Sequence, residues 1–452
     1  MNALLTLLAL LLSAVILFVT PAAGGPALIV CVVLAILAGV LISRAASNGN
    51  FMLRLFVGGL LARVLIGVII YSLNLQEFFG GDAFTYDFTG YSLLKVWQGD
   101  NYYQSIVNTV VGDSGAGAWG MMYMVATVYK ITGRNMLAIQ FVNAVLGAAT
   151  APVIFLCAQH LFNNLKVARF AGLFAAFYPS LVLWSSQGLK DGPIVFLLAI
   201  CMLVTLKLGE KVSFKYLTVL ACSLFALLSL RFYIFYMVVA AITGAFVIGM
   251  RPRTAQSLIR QFGVILFVGL ALTYLGVTRY ANTQFETFGS LERVQVSRSN
   301  LAQSANSGFA SDVDVTTAGG ALSTIPIGVT YLLFAPFPWQ LANLRQSITL
   351  PEMVIWWMSF PFLVLGLWFT LKYRLRQSLP ILIFTFMLTL AYSVFQGNVG
   401  TAYRQRSQLL VFYFIFVSVG YVLTQERRED RRQQALAAKK SAMTGGRRIS
   451  CE

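Results

Sequence analysis

The chain reads as an all-α polytopic membrane protein, and two observations predict that class. Of its 452 residues, 58% are hydrophobic and 11% charged, whereas soluble domains carry about a quarter charged residues. Apolar runs of helical length recur from end to end, and no segment shows the short alternation of an outer-membrane barrel. His160 is the sole histidine, which excludes a multi-histidine metal site. Cys31, Cys157, Cys201, Cys222 and Cys451 lie in apolar runs or at the C-terminus without metal spacing, and read as packing residues or free thiols. The net charge of +17 is therefore interpreted loop by loop before any nucleic-acid partner is inferred from it.

Residues 3–19 and about 27–43 form two apolar helices joined by Thr20-Pro21-Ala22-Ala23-Gly24-Gly25. The first lacks the basic n-region of a signal peptide and its apolar run is long, so a retained helix is expected. A third helix covers about 52–73 and carries Arg63, a charge that must snorkel or face a protein interior. Residues 119–132 are apolar but reach only about 21 Å, short of a core of about 30 Å; they form a juxtamembrane helix, a re-entrant helix or a short span.

Basic loops arbitrate. If 119–132 does not cross, helix 136–158 runs inward. Lys166 and Arg169, then Lys207, Lys211 and Lys215, then Arg251, Arg253 and Arg260, then Lys372, Arg374 and Arg376 all become cytoplasmic. If it crosses, every one of these loops faces outward, so the non-crossing topology is expected. Further spans fall at about 168–185, 192–208, 215–230, 232–249, 261–279, 353–371, 379–395 and 408–424. The total is about twelve, in the inner or plasma membrane, with both termini cytoplasmic. Segment 325–338, ending in Ala335-Pro336-Phe337-Pro338-Trp339, reads as re-entrant or interfacial.

Three regions result. Residues 1–50 are an N-terminal transmembrane hairpin. Residues 51–424 form a membrane-embedded domain with outer loops 74–135, 186–191, 280–352 and 396–407. Residues 425–452 are a basic cytoplasmic tail, suited to anionic membrane lipids rather than nucleic acid. Loop 280–325, rich in Ser, Asn, Thr and Gly, is either a lid over the acceptor or disordered.

This topology sorts the acids. Glu210 and the tail acids are cytoplasmic, and the others fall outside. Glu77, Asp82, Asp87, Asp100 and Asp113 crowd the first outer loop, and Asp191 sits in the turn Ser185-Ser186-Gln187-Gly188-Leu189-Lys190-Asp191. Arg231, Arg404 and Arg406 lie outside against the charge trend. Guanidinium groups there suit bidentate phosphate recognition, or else pair with a loop acid or anchor at the interface. Carboxylates opposite arginines suit group transfer from a lipid-linked phosphate. An acid accepts the proton of the attacking hydroxyl, and cations hold the phosphate charge that grows as the donor bond breaks. There is no Walker A or Rossmann glycine fingerprint.

In these features the sequence resembles the C-type polytopic glycosyltransferases, the superfamily of protein mannosyltransferases, aminoarabinose transferase and oligosaccharyltransferase. Asp82, Tyr86 and Gly99 match that family's pattern in its first outer loop, although Ala83 stands where a second acid is common. Asp191 matches an acid of its second outer loop, and 117–132 matches its juxtamembrane helices. The resemblance implies a glycosyltransferase that moves a sugar, hexosyl or pentosyl, from a polyprenyl-phosphate-linked donor to a glycan, lipid or protein acceptor. It would act on the extracytoplasmic face, as in polysaccharide biosynthesis. Asp82 would be the base, and Asp87 or Asp191 would orient it or bind a divalent cation, an ion the sequence does not require. On one continuous helix, Asp82 and Asp87 would stand about 140° apart, while Tyr86 would share the Asp82 face. Tyr86, Lys190, Arg231, Arg404 and Arg406 would bind substrate, the cations taking the donor phosphate. Tyr91, Trp97 and Trp339 could stack on sugar or belong to an interfacial aromatic belt.

Two rival functions remain at this point. One is an O-antigen or exopolysaccharide polymerase or ligase using a polyprenyl-pyrophosphate oligosaccharide. The other is a lipid or polysaccharide transporter or flippase, which internal repeats and midplane charges would signal; no repeat is found, and Arg63 is the one midplane charge.

Overall fold

A computed structural model describes residues 3–45, 48–112, 119–250, 255–274, 277, 281, 284, 289–303, 307–309, 313–341 and 343–446. Asp113, Arg251, Arg253 and Cys451, singled out above, lie outside the described residues, as do the end of the basic tail, 447–452, and part of loop 280–325. The architecture is all-α. In chain order the helices are α1 Ala3–Val19, α2 Pro21–Ala45, α3 Gly49–Ser72, α4 Gln76–Gly80, α5 Asp82–Trp97, α6 Gln104–Val111, α7 Trp119–Thr132, α8 Met136–Phe162, α9 Leu165–Phe177, α10 Pro179–Ser185, α11 Asp191–Leu208, α12 Phe214–Leu230, α13 Phe232–Ile248, α14 Ala255–Tyr274, α15 Leu291–Gln303, α16 Ala318–Phe334, α17 Leu344–Tyr373, α18 Leu375–Phe395 and α19 Val399–Gly446. Seven are long and apolar enough to cross a membrane, and the bent pair α9–α10 makes an eighth. Five shorter apolar helices follow among the described residues, α1, α12, α13, Gln261–Tyr274 of α14 and α16; the first four fall where the sequence predicts further spans, and none reaches the length of the seven.

The most buried of the long helices is α8, with α3, α9 and α11 packed around it. It starts at a true cap: Asn135 accepts from the Ala138 amide, and its own amide donates to Ala23 O at 2.8 Å. That second bond places the α1–α2 turn at the same end of the bundle as the start of α8. Capping by Asn satisfies one of the amides that a helix start leaves unpaired. At the far end Asn163 closes α8 in the left-handed conformation, φ 49°.

Residues 74–112, expected as part of the first outer loop, are mostly helical instead, and they precede the short helix expected at 119–132, which is α7. After α4, α5 runs from Asp82 and packs on α7 at Gly90, where a Cβ would come within 2.3 Å of Val125 Cγ1. The polar residues that suggested a loop line the faces of short helices. The last outer loop, expected at 396–407, is likewise mostly helix, since α19 begins at Val399 and continues without a break to Gly446. Within segment 325–338 the helix α16 stops at Phe334 against Trp356 and Trp357; their indole N–H groups donate to Leu333 O and Phe334 O.

Expected span 168–185 is broken. α9 and α10 meet at 50° across Tyr178, which is extended because the residue before a proline, here Pro179, is disfavoured in the helical region. The break strands the last carbonyls of α9. Arg63 of α3, only 1% exposed, answers them: it donates to Ala176 O at 2.7 Å, Ala175 O at 3.2 Å and Ser185 Oγ at 2.8 Å. The midplane charge therefore faces the protein interior. Each buried carbonyl left without a donor would cost about 1–3 kcal/mol. We expect Arg63→Met to lower the thermal midpoint of the purified protein clearly, read by size-exclusion chromatography after heating, whereas exposed Arg44→Met should leave it unchanged.

Candidate active site

At the α8 N-terminal end of the bundle, three helix starts and one tight turn bring charge together. Asp82 opens α5 and Asp191 opens α11, where the partial positive charge of a helix N-terminus favours a carboxylate. Gly80 lets the two approach: a Cβ there would stand 2.9 Å from Leu189 Cδ1 and 3.0 Å from Gln187 Oε1. Asn143 of α8 fixes the turn that carries Lys190 and Asp191 by donating to Gln187 O at 2.6 Å and Leu189 O at 2.7 Å.

Arg404, on the first turns of α19, joins the two acids. Its Nη1 donates to Asp82 Oδ2 at 2.7 Å, and its Nε to Asp191 Oδ2 at 2.7 Å. Arg231, in the turn between α12 and α13, brings Nη2 to 3.7 Å from Asp191 Oδ1. Asp191 is fully buried, while the Asp82 side chain is 57% exposed. The pair thus divides into an inner carboxylate that organises cations and an accessible one that can meet a substrate. Asp191 Oδ1 and Arg231 Nη1 are buried without a hydrogen-bond partner among the described residues, unusual for buried polar atoms.

Lys190 and Tyr86 complete the group. Lys190 Nζ lies 5.9 Å from the Tyr86 ring centroid. Burial first, then the Arg231 charge, pull the Lys190 ammonium down to about 8. Tyr86 is pushed up by burial and then by the charges of Asp82 and Asp191, so it keeps its phenolic proton. Three cations face two acids here, an excess of positive charge suited to an anionic ligand.

Two expected site residues are not brought into this group. Asp87 shares α5 with Asp82 but points elsewhere, as the 140° offset anticipates. It accepts from Tyr129 and from Arg134, whose Nε lies 3.1 Å from Oδ2. Arg406, fully buried, serves the backbone: Nη1 donates to Leu333 O at 2.9 Å and Ala335 O at 3.0 Å. Of the aromatic candidates, Tyr91 lies under the Arg134 guanidinium, Trp97 meets Tyr123, and Trp339 stacks on Phe337.

The structure adds residues that sequence reading missed. Trp184 lies under Arg404, with 5.8 Å from ring centroid to guanidinium. Glu352, buried in α17, accepts from Tyr403 Oη at 2.7 Å. Only Glu352 carried a sequence signal, an acid beside Pro351 at the edge of an apolar run. As for a divalent ion, Arg404 already occupies the position between the two carboxylates. No three His, Cys, Asp or Glu residues converge among the described residues. This donor set does not fit a metal.

An apolar cavity of about 690 Å³ opens beside Arg231, lined by Phe232, Tyr233, Met237, Tyr392 and Phe395 among others. The Arg231 guanidinium stands 5.7 Å from the Tyr233 ring, which meets Tyr392 edge-on at 6.5 Å. Charge and grease therefore adjoin at one point.

Residues 118–276 match the family model of dolichyl-phosphate-mannose-protein mannosyltransferases, in agreement with the resemblance to the C-type polytopic glycosyltransferases. The match includes Lys190, Asp191 and Arg231 but stops short of Asp82 and Arg404. No curated protein matches the chain. Among solved structures, the chain is similar to the archaeal oligosaccharyltransferase AglB from Archaeoglobus fulgidus, solved with an inhibitory peptide and a dolichol-phosphate. The identity is 12% and the TM-score 0.41, over 70% of this chain and 43% of that one. The chain thus spans less than half the length of that protein.

Removing Arg404 would leave Asp191 buried and largely uncompensated, a loss worth about 3–5 kcal/mol. We expect Arg404→Gln to be destabilised towards the lower end of that range, because Arg231 still faces Asp191. Arg404→Gln/Asp191→Asn should regain much of the loss in thermal denaturation of the purified protein.

Proposed function

We propose that this protein is a membrane glycosyltransferase that moves a sugar from a polyprenyl-phosphate-linked donor to an acceptor hydroxyl on the extracytoplasmic side. The observation that carries this reading is the single guanidinium of Arg404 bridging an exposed carboxylate and a buried one, next to an apolar cavity. The family match to residues 118–276 supports the reaction class. The basic loops at the opposite end of the bundle support the orientation, with the Asp82 end outside.

The chemistry follows from the division of labour between the acids. The acceptor hydroxyl approaches Asp82, whose carboxylate takes its proton as the oxygen attacks the anomeric carbon. The bond between that carbon and the donor phosphate oxygen breaks, and polyprenyl phosphate leaves with the electron pair. Arg404, Arg231 and Lys190 meet the added negative charge in a site with little water, where such interactions are strong. Asp191 takes no proton in this scheme. It holds Arg404 and Arg231 in place before the donor arrives, which spares reorganisation during the reaction. The aromatic cavity beside Arg231 would take the first isoprene units of the donor. A single displacement with one base inverts the anomeric centre.

Asp82→Asn should lower transfer by about 10²–10⁴-fold with expression unaltered, because the side chain is half exposed and its loss orphans no buried charge. Mass spectrometry of lipid-linked sugars with and without the gene, and with the variant, checks this. Build-up of a monosaccharide-phosphate lipid supports the proposal, and build-up of an oligosaccharide-pyrophosphate lipid points to a polymerase. Full activity of Asp82→Asn would sink the mechanism.

The depressed Lys190 gives a second test. In donor-free protein Lys190 is charged below pH 8 and loses its proton as pH rises through about 8, so one of three cations is withdrawn from the phosphate. The donor KM should therefore rise above pH 8, and Lys190→Arg, which stays charged, should flatten that limb.

A further inference from the structure

A second cleft opens at the same end of the bundle, on the far side of α5 from Asp82. Its volume is about 660 Å³, within the range of roughly 300–1,000 Å³ typical of small-molecule sites. The α1–α2 turn, the end of α3, Phe84 and Asp87 of α5, and Arg134 and Gln140 at the start of α8 enclose it.

Its walls narrow the chemistry of any ligand. Arg134 is the one cation among the residues that line it, and Asp87 already neutralises it, so the cleft does not favour an anion. Polar side chains share the lining with apolar ones such as Val19, Ile70 and Met136: Gln140 Nε2 donates to Gln76 Oε1 at 2.9 Å, and Gln76 Nε2 to Gln187 Oε1 at 2.9 Å. Two of the lining residues, Gln140 and Ser72, hold side-chain oxygens, Oε1 and Oγ, that are buried just behind the wall without a hydrogen-bond partner among the described residues. Buried polar atoms of this kind call for a partner, and an amide oxygen can be answered only by a donor. Phe84, 48% exposed, adds an aromatic face. Amides, a neutralised ion pair and an open ring match a neutral polyhydroxylated ligand, whose hydroxyls both donate and accept and whose C–H face packs on an aromatic ring.

We propose that this cleft binds a saccharide unit of the acceptor. The acceptor role rests on the glycosyltransferase reading above; the binding chemistry does not. Asp87, in the cleft, lies five residues along α5 from Asp82, about 7.5 Å of helix rise, so a short glycan held here can present its next hydroxyl to the base. The glutamine chain ends at Gln187, whose carbonyl oxygen is held by Asn143 in the turn before Lys190 and Asp191. The cleft and the transfer centre therefore share one turn.

The test is saturation-transfer NMR on the full chain in lipid nanodiscs, since maltoside detergents would compete for such a site. The probes are the methyl glycosides of glucose, galactose, mannose, N-acetylglucosamine and arabinose. At least one should bind, and Phe84→Ala and Gln140→Leu should each weaken it about fivefold or more, the loss of roughly one hydrogen bond or ring contact. Phe84→Ala alters a half-exposed side chain and keeps the test valid if Gln140→Leu does not fold. Asp82→Asn should bind the same glycoside as well as the natural chain does. Absence of binding by every probe, or undiminished binding by Phe84→Ala, overturns the cleft while leaving the Asp82 mechanism to its own assay. Binding lost in Asp82→Asn also overturns it, by placing the sugar at the transfer centre.

Discussion

A helix that stops inside a protein embedded in lipid leaves carbonyl oxygens that no water can reach, and this chain meets that constraint with arginine. Arg63 caps the end of α9, and Arg406 caps the end of α16. Arg298 does the same for α18 by donating to Val394 O at 2.9 Å and Gln396 O at 2.8 Å. In each case a cation meets the negative end of a helix, where backbone dipoles add to the hydrogen bonds. The α9–α10 break places Trp184 beside Arg404 and leads into the turn that carries Lys190 and Asp191. The α18 end lies next to the start of α19. Without these caps the site end could not be built from helix ends, and helix ends supply its charge complementarity.

Arg404 departs from that pattern because its partners are carboxylates rather than carbonyls. Burial of Asp191 would be costly alone, since desolvating a carboxylate takes several kcal/mol. The helix start it occupies, together with Arg404 and Arg231, offsets the cost. The result is a preformed cluster of cations around a buried anion, with Asp82 left accessible at its edge. Tyr86 and Lys190 sit in the same field, and opposite shifts of their protonation follow from the same burial.

Much of this was legible in the sequence, through charge rather than through motif. Sorting basic loops to one side put Asp82, Asp191, Arg231 and Arg404 at the other, and the structure brings these four together. Asp87 and Arg406 show where that reasoning loses resolution. Both lie at the correct end, but the direction of a side chain depends on helical phase. Reading 396–407 as a loop, because of Gly397, Asn398 and Gly400, hid the fact that Arg404 and Arg406 stand about 200° apart on one helix. Nothing in the sequence points from Arg134 to Asp87, because their pairing spans 47 positions and two helices. Glu352 fell at the edge of an expected span, because α17 begins at Leu344, nine residues ahead of the run read from hydropathy.

The unbroken course of α19 has a mechanical consequence. Tyr403, Arg404 and Arg406 leave this shaft at about 0°, 100° and 300°, and each grips a different body: Glu352 of α17, the two acids of α5 and α11, and the carbonyl end of α16. Three holds spread around a cylinder remove its freedom to spin. The shaft is about 72 Å long, more than twice the thickness of a bilayer core, so torque applied at its distant end meets a keyed joint instead of a bearing. The guanidinium at the centre of the site thereby has its angular position set by the holds of Tyr403 and Arg406 as well as by the acids it grips.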